Sequence, residues 1–271
     1  MLRVNGVNMT DLFLILLAIL NVTGITYLAF KVRRISIESR SNKKKIKEIK
    51  LMTKEINKAV SKEVSTKKES KRDFQLMEAY YQLINLLDFK SPIPRTRGFA
   101  ASPDLLLEIY RLIMKYRPKL IVELGSGLST LVIAKSVQQT NDSKVVSIDH
   151  SLDYLNETTR LLNEHEIDSV ELIHAPIDMT TNWYSTKWLT ELKEIDLLVI
   201  DGPPKALGEN VRSGALDFFL NRLSPNAVVV IDDAYRPGES KLASDFATKM
   251  PLHSLVVLDH EKGTAIILPQ S

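Results

Sequence analysis

The sequence predicts an α/β domain with a mainly parallel sheet over residues 73–271. Strand and helix patterns alternate from Leu120 onward, as in parallel sheets with helical crossovers. The runs VVSI, LLVI and AVVVI are continuously apolar, which is typical of strands buried on both faces. The final strand patterns, LHSLVVLDH and TAIILP, are too close together for a parallel crossover. They therefore predict a terminal antiparallel hairpin.

Each element of the predicted sheet follows from such a pattern. The predicted strands are residues 120–124, 144–148, 170–175, 195–200 and 227–231, followed by the hairpin. The predicted helices are residues 129–138, 153–165, 213–223 and 239–249. Two further helices precede the sheet, over residues 72–89 and from Pro103, with Ser102 as its N-cap. The proline-bearing loop 91–101 between them is placed to cover the mouth of a site.

Composition excludes several functional classes. The chain has 271 residues, 44% of them hydrophobic, and no cysteine, so disulfides, thiolate nucleophiles and cysteine-based zinc sites are excluded. The net charge of +3 is unevenly distributed. Residues 31–72 hold 16 Lys and Arg against 5 Glu, whereas residues 73–271 hold 19 basic against 27 acidic residues. The acidic balance of the domain argues against nucleic acid as its partner.

The segment Leu12–Phe30 has no charged residue over nineteen positions. As a helix it would be about 28 Å long, close to the hydrocarbon thickness of a bilayer. We predict a transmembrane helix at 12–30 after a short segment at 1–11, and not a cleaved signal peptide. Basic residues follow the run, so the domain is predicted to face the cytoplasm on a single-pass membrane protein.

Residues 31–72 predict a basic helical stalk. Six apolar residues recur there at spacings of three and four among Lys and Glu: Ile46, Ile49, Met52, Ile56, Val60 and Val64. A solvated helix is the favoured interpretation, and a short coiled coil that would pair two copies into a homodimer stays open.

The stretch Lys119–Thr130, KLIVELGSGLST, reads as a strand, a glycine turn and the start of a helix. Such a turn lets backbone amides approach a nucleotide-type ligand closely. A dinucleotide fingerprint would have a third glycine where Thr130 stands. Glu123 would repel a pyrophosphate and attract the cationic end and sulfonium of S-adenosylmethionine, although it could instead only support the helix cap. The candidate cofactor-binding residues of the stretch are Glu123, Gly125, Ser126, Gly127, Ser129 and Thr130.

Further cofactor candidates follow the next two strands. Asp149 ends VVSID, at a position that suits an acid accepting hydrogen bonds from both ribose hydroxyls. His150 is expected at the edge of the pocket. After the third strand, Ala175 and Pro176 are expected near an adenine edge, where an ordinary loop is an equal alternative.

Three acids follow the fourth and fifth strands, Asp201 in VIDGPPK and Asp232 and Asp233 in VIDDAYRPGE. The carboxyl ends of these strands should lie together, where open α/β sheets bind ligands. Hard oxygen donors there predict a Mg²⁺ or Ca²⁺ site that would orient and acidify an acceptor hydroxyl. In the alternative, Asp233 caps the following turn and only Asp201 meets the ligand.

Several ordered motifs together resemble the class I S-adenosylmethionine-dependent methyltransferases, in their small bacterial branch. From about Tyr80 to Gly238 these are RGFAASPDLL, ELGSGLST, SIDH, HAPI, IDGPPK and IDDAYRPGE. The resemblance implies a Rossmann-like fold with a seven-stranded sheet. It also implies that Glu123, Gly125, Gly127 and Asp149 bind the cofactor and that Asp201 faces the transferred methyl group.

The acids are also similar to those of metal-dependent catechol-type O-methyltransferases. The chain departs from that pattern, because Asp233 stands in place of an asparagine and Lys205 lies one residue beyond that family's base. The predicted function is O-methylation of a small or glycan-like acceptor, with Asp201, Asp232 or Lys205 in catalytic roles. A membrane-tethered scaffold without turnover is the alternative. Residues expected near the acceptor are Arg95, Arg97, Phe99, Arg212, Tyr235 and Arg236.

Overall fold

The protein is described by a computed structural model over residues 3–4, 7–96, 98, 100–140 and 143–270. The chain divides into two compact units, Met1–Glu69 and Ser70–Ser271. The division falls a few residues before the predicted start of the domain at residue 73. Each unit is described separately below.

The first unit is mostly helix. Two short strands, β1 (Arg3–Val4) and β2 (Val7–Asn8), pair antiparallel ahead of the helix α1 (Met9–Leu86). The sequence predicted a separate helix from residue 72, and that boundary is wrong, because α1 runs through it. No proline lies between residues 9 and 86 to end the helix. The apolar residues of the predicted stalk stripe are exposed in this chain, as with Ile46 and Val60.

Residues 12–30 lie within α1. In the described part of the chain, no helix combines the length and the hydrophobicity that crossing a bilayer needs, so the structure does not support the predicted transmembrane helix. Polar groups interrupt the apolar run, and the hydroxyls of Thr23 and Thr26 donate to helix carbonyls at 2.9 and 3.0 Å. The side chains of three residues of the run lie outside the description: Ile15, Ala18 and Ile19.

The second unit is built on a seven-stranded mixed sheet. Its strand order is β10-β11-β9-β8-β3-β4-β5, with parallel pairing from β9 to β5. The terminal strands β10 and β11 form an antiparallel hairpin that joins the sheet against β9, as predicted. The strands of this unit are β3 (Leu120–Leu124), β4 (Lys144–Asp149), β5 (Val170–His174), β6 (Ile177–Asp178), β7 (Trp183–Tyr184), β8 (Ile195–Ile200), β9 (Leu223–Ile231), β10 (His253–Leu258) and β11 (Thr264–Pro269).

Helices cover both faces of the sheet. They are α2 (Pro103–Tyr116), α3 (Leu128–Gln138), α4 (Leu152–Glu164), α5 (Gly214–Phe219) and α6 (Pro237–Lys249), with 3₁₀ turns at 186–188, 205–207, 211–213 and 220–222. Ser102 takes the extended N-cap conformation before α2, but its hydroxyl donates to Asp104 and caps no backbone amide. Asp104 in turn accepts the Glu261 amide at 2.8 Å, which fixes the β10–β11 turn to the start of α2.

Residues 176–194 were predicted only as a long connection with two tryptophans. They contain the antiparallel pair β6–β7, in which Ile177 lies opposite Tyr184. Trp183 and Tyr184 are buried there, whereas Trp188 is exposed. The β6–β7 segment brings Trp183 and Tyr184 towards the carboxyl edge of the sheet.

The core has two layers because successive strand residues point to opposite faces. Ile121 and Val145 pack with α2, α3 and α4 on one face, whereas Val122 and Val146 pack with Phe246 and other residues on the second. Burial on both faces explains the continuous apolar runs. It also fixes the strand register, so the carboxyl ends of β3, β4, β8 and β9 meet at one edge.

Phe246 of α6 is fully buried, whereas Phe74 of α1 is 60% exposed. We expect Phe246→Ala to lower the free energy of unfolding by about 3–5 kcal/mol, because it leaves a cavity against the sheet. The control Phe74→Ala should change that free energy by at most about 0.5 kcal/mol. Urea denaturation of the full chain measures both. Equal effects of the two substitutions would contradict the described packing.

Candidate functional site

A cavity of about 260 Å³ lies at the carboxyl edge of the sheet. Eight of the predicted cofactor-binding and catalytic residues line it: Gly125, Ser126, Gly127, Ser129, Asp149, His150, Asp201 and Lys205. The structure thus brings residues from three separate strand ends to one opening, as the parallel register requires. Asp233 also lines the cavity, whereas Glu123, Thr130, Ala175, Pro176 and Asp232 do not.

The glycine turn between β3 and α3 forms one wall of this cavity. Gly125 has a φ of +98°, and a Cβ there would lie 3.1 Å from the Gly202 nitrogen. Both constraints favour glycine. The positive φ and the close approach to Gly202 therefore explain why the first glycine of the predicted ligand-binding turn is needed.

Glu123 lies behind the turn and has no exposed surface. Its Oε2 accepts hydrogen bonds from the hydroxyls of Thr130 (2.6 Å) and Ser147 (2.7 Å), and Thr130 in turn accepts the Gly127 amide at 2.9 Å. Burial raises the pKa of Glu123 to about 6, against the opposing effect of its hydroxyl donors. The geometry favours the cap-supporting alternative for Glu123, because Glu123 binds Thr130, the third residue of α3, and Thr130 accepts the amide of the N-cap residue Gly127.

Asp149 connects the turn to β4. Its Oδ2 accepts the Ser126 amide at 2.9 Å and its Oδ1 accepts the Ser151 amide at 2.8 Å. His150 Nδ1 lies 3.0 Å from the same Oδ1. Backbone donors therefore hold the carboxylate in place at the cavity wall. Ala175 is fully buried beside it and donates its amide to the Asp149 carbonyl at 2.8 Å, so it supports the edge of the site without lining it.

The three acids predicted at the strand ends lie close together, and the guanidinium of Arg212 pairs with two of them. Asp201, Asp232 and Asp233 each place a carboxylate oxygen within 4.8 Å of the others. The Nη2 of Arg212 lies 3.1 Å from Asp201 Oδ1 and 3.1 Å from Asp233 Oδ2. Arg236 contacts Asp233 as well, at 2.6 Å. The sequence predicted Arg212 near an acceptor. Its side chain lines the cavity, but it is almost fully buried and pairs with these acids.

Burial and like charges raise the pKa values of Asp201 and Asp232 to different extents. Burial raises the pKa of Asp201 to about 6, although Arg212 acts in the opposite direction. The pKa of Asp232 is raised further, to about 8, by burial and by the neighbouring Asp201 and Asp233. At neutral pH the Asp232 carboxyl is therefore protonated and Asp201 is mostly ionised. Asp232 is also almost fully buried, whereas Asp201 lines the cavity.

The predicted metal site does not fit this arrangement. Carboxylate oxygens suit Mg²⁺ or Ca²⁺, with metal–oxygen distances of about 2.0–2.6 Å. An ion bound by Asp201 and Asp233 would lie within about 6 Å of the Arg212 guanidinium, which already pairs with both acids. Their repulsion would be roughly 5 kcal/mol at an effective dielectric constant of about 20. We therefore assign no metal role to the three acids.

Comparisons with known proteins agree with this geometry. A family model described as "Methyltransferase domain" matches residues 122–234, from the first strand of the sheet to the end of the acid cluster. Over these residues the match confirms the predicted resemblance to the class I S-adenosylmethionine-dependent methyltransferases. The match spans β3 to the segment after β9, and so contains every residue that was predicted to bind the cofactor. None of the curated proteins matches the chain.

A solved structure shows the same fold for this domain. The SAH-bound methyltransferase PaMTH1 of Podospora anserina is 18% identical, with a TM-score of 0.50 over 72% of this chain and 88% of that one. A methyltransferase from Geobacter sulfurreducens is 19% identical, with a TM-score of 0.47 over 73% of this chain and 90% of that one. The first likeness supports the predicted Rossmann-like sheet with its terminal hairpin.

Tyr184 and Lys262 are among the lining residues that were not predicted. Tyr184, from β7, places its hydroxyl in the buried interior beside the cavity, where it has no hydrogen-bond partner among the described residues. Burial raises its pKa well above the usual value, so the hydroxyl stays neutral. Lys262, from the β10–β11 turn, donates to the Ala100 carbonyl at 3.3 Å and lies 4.0 Å from Asp232 Oδ2. No motif marks either residue in the sequence.

The other residues predicted to lie near the acceptor differ in whether they line the cavity. Arg236 lines the cavity, but Arg95 is exposed and does not. Tyr235 is 53% exposed and its hydroxyl donates to Asp259. Arg97 and Phe99 lie outside the described residues.

Asp232 gives the methyltransferase domain a pH-dependent stability. The pKa is about 8 in the folded protein, against about 4 in an unfolded chain, so only the folded state holds this proton between those values. Stability should therefore fall as pH rises from about 4 to 8, by at most about 1.4 kcal/mol per pH unit from this group. Asp232→Asn cannot ionise and should lose that contribution.

Urea denaturation of wild type and Asp232→Asn at pH 5 and pH 8 measures the effect. We expect the variant to gain stability relative to wild type at the higher pH. A constant difference between the two proteins across this range would show that Asp232 does not carry the proton.

Proposed function

We propose that the domain transfers a methyl group from S-adenosylmethionine to an oxygen atom of a small or glycan-like acceptor that carries an anionic group. The observation that carries this proposal is the shared cavity lining. The glycine turn, Asp149 and Asp201 face one opening from three strand ends. A cofactor held by the first two would place its reactive end near the third.

The cofactor half of the cavity is formed by β3, β4 and the start of α3. The positive end of the α3 helix dipole suits the carboxylate of the cofactor's amino-acid end. Asp149 is held by two backbone amides, and its carboxylate suits the ribose hydroxyls. The unpartnered Tyr184 hydroxyl supplies one further donor at the wall. These groups support S-adenosylmethionine as the ligand.

Asp201 is the acid best placed to accept the acceptor's proton. It lines the cavity, and its pKa of about 6 keeps it ionised yet moderately basic at neutral pH. In the transfer, the acceptor oxygen attacks the methyl carbon, the carbon–sulfur bond breaks with its electrons on sulfur, and the hydroxyl proton passes to Asp201. Lys205 also lines the cavity and is the second candidate base.

The acceptor half of the cavity is basic. Lys205, Arg236 and Lys262 line it, and unlike Arg212 they are only partly buried or exposed. Their charges would attract and orient an anionic group on the acceptor, such as a phosphate or a sugar carboxylate. This supports an acidic acceptor over a neutral one.

Calorimetric titration of the full chain with S-adenosylhomocysteine tests the cofactor site. We expect binding by wild type and about 10-fold or greater weakening in Asp149→Ala, because a charged hydrogen-bonding group is lost. The matched control is Asp217→Ala, an exposed acid in a second cavity of about 620 Å³. Its affinity should equal that of wild type.

Two outcomes decide between the candidate functions. An absence of binding by wild type, or equal loss in both variants, would contradict the proposed cofactor site. Binding without methyl transfer to any member of a panel of acidic acceptors would favour the alternative of a scaffold with a methyltransferase fold.

Location remains a prediction from the sequence. The apolar run at 12–30 and the basic residues after it predict a membrane-bound chain whose domain faces the cytoplasm. Fractionation of cells that express the full chain, followed by alkaline carbonate extraction, measures attachment. We expect the full-length protein to stay in the membrane pellet after extraction. A variant lacking residues 1–30 should be in the supernatant. Full-length protein in the supernatant would refute it.

A further inference from the structure

The Arg212 side chain is only 5% exposed, at a place where the sequence predicted a divalent cation. Its Nη2 lies equally close, at 3.1 Å, to carboxylate oxygens of Asp201 and Asp233. These are two of the three acids expected to hold that cation. One positive charge therefore already lies between the carboxyl ends of β8 and β9.

Further contacts fix the plane of the guanidinium. Nε donates to the Pro203 carbonyl at 3.3 Å and lies 3.7 Å from Glu239 Oε1. Nη1 donates to the Asp232 carbonyl at 3.2 Å. Each nitrogen of the group thus has a partner, and the loops after β8 and β9 are joined through it. A guanidinium is always charged and presents its donors in a rigid plane, so it is suited to such a fixed role.

We infer that Arg212 is a built-in replacement for the divalent cation, so that this protein positions Asp201 and the two loops without a metal. The inference rests on the proposed function for its consequence: methyl transfer should then be independent of Mg²⁺ and Ca²⁺. Arg212 acts here as a positioning residue, because its nitrogens are all engaged by acids and backbone carbonyls of the two loops.

The same arrangement limits the chemical class of the acceptor. A bound metal ion orients an acceptor by chelating two neighbouring oxygens, and the guanidinium has no free coordination site to do so. The acceptor therefore does not need a pair of adjacent hydroxyls. The partly exposed cations of the cavity, Lys205, Arg236 and Lys262, would orient it through an anionic group instead.

Mn²⁺ titration followed by electron paramagnetic resonance tests the inference on the full chain, because the signal of free Mn²⁺ decreases on binding. Wild type and Asp201→Asn should give the same weak binding, with no site below about 1 mM that depends on Asp201. A wild-type site of one Mn²⁺ per chain that Asp201→Asn abolishes would overturn the inference.

Arg212→Met tests whether the guanidinium is what excludes the ion. It removes the charge with little change in length, so the acids that lose their guanidinium partner should bind Mn²⁺ at least 10-fold more tightly, and Asp201→Asn in the same chain should reverse this. Arg236→Met is the matched control, since Arg236 also contacts Asp233 but leaves Arg212 in place. It should bind Mn²⁺ as weakly as wild type.

A folded Arg212→Met protein that gains no Mn²⁺ affinity would overturn the inference. If circular dichroism shows that this variant is unfolded, the comparison of wild type with Asp201→Asn decides alone. These measurements need no methyl transfer. Failure of the proposed function would appear separately, as absent binding of S-adenosylhomocysteine.

Discussion

The ion pairs of the buried Arg212 side chain hold the carboxyl edge of the sheet together. Three acids lie within 3.7 Å of the guanidinium, and two of them, Asp233 and Glu239, are almost fully buried. Leaving such acids without their cation typically costs about 3–5 kcal/mol. The sheet brings the strand ends together, and Arg212 allows their negative charges to stay there. The cavity, the orientation of Asp201 and the spacing of the two loops all depend on this pairing.

Most of the fold could be predicted because burial leaves a periodic pattern in the sequence. Strands 120–124 and 195–200 have their predicted bounds, and the short connection before residue 264 identified the antiparallel hairpin. Local patterns say less about helix continuity. The predicted break near residue 72 is absent, since a change from basic to mixed composition does not end a helix when no proline or glycine accompanies it. The pair β6–β7 was missed because its strands have two residues each.

The site was predictable where its residues directly follow a strand. Asp149 and Asp201 line the cavity for that reason, as does the glycine turn after β3. Tyr184, Lys262 and the structural role of Arg212 were not predictable. They come from a two-residue strand, a hairpin turn and a 3₁₀ turn, and tertiary packing alone brings them to the cavity. Glu123 shows the converse, because a residue with the right charge in the right motif lies behind the loop and supports it.

The central claim is that the cofactor occupies the cavity at the carboxyl ends of β3, β4 and β8. Hydrogen–deuterium exchange of the full chain, with and without S-adenosylhomocysteine, measures this directly. The account predicts slower exchange in peptides covering residues 124–130 and 149–151. Slower exchange confined to residues 178–184 and 208–218, which line the larger cavity, with no change at 124–130, would contradict it.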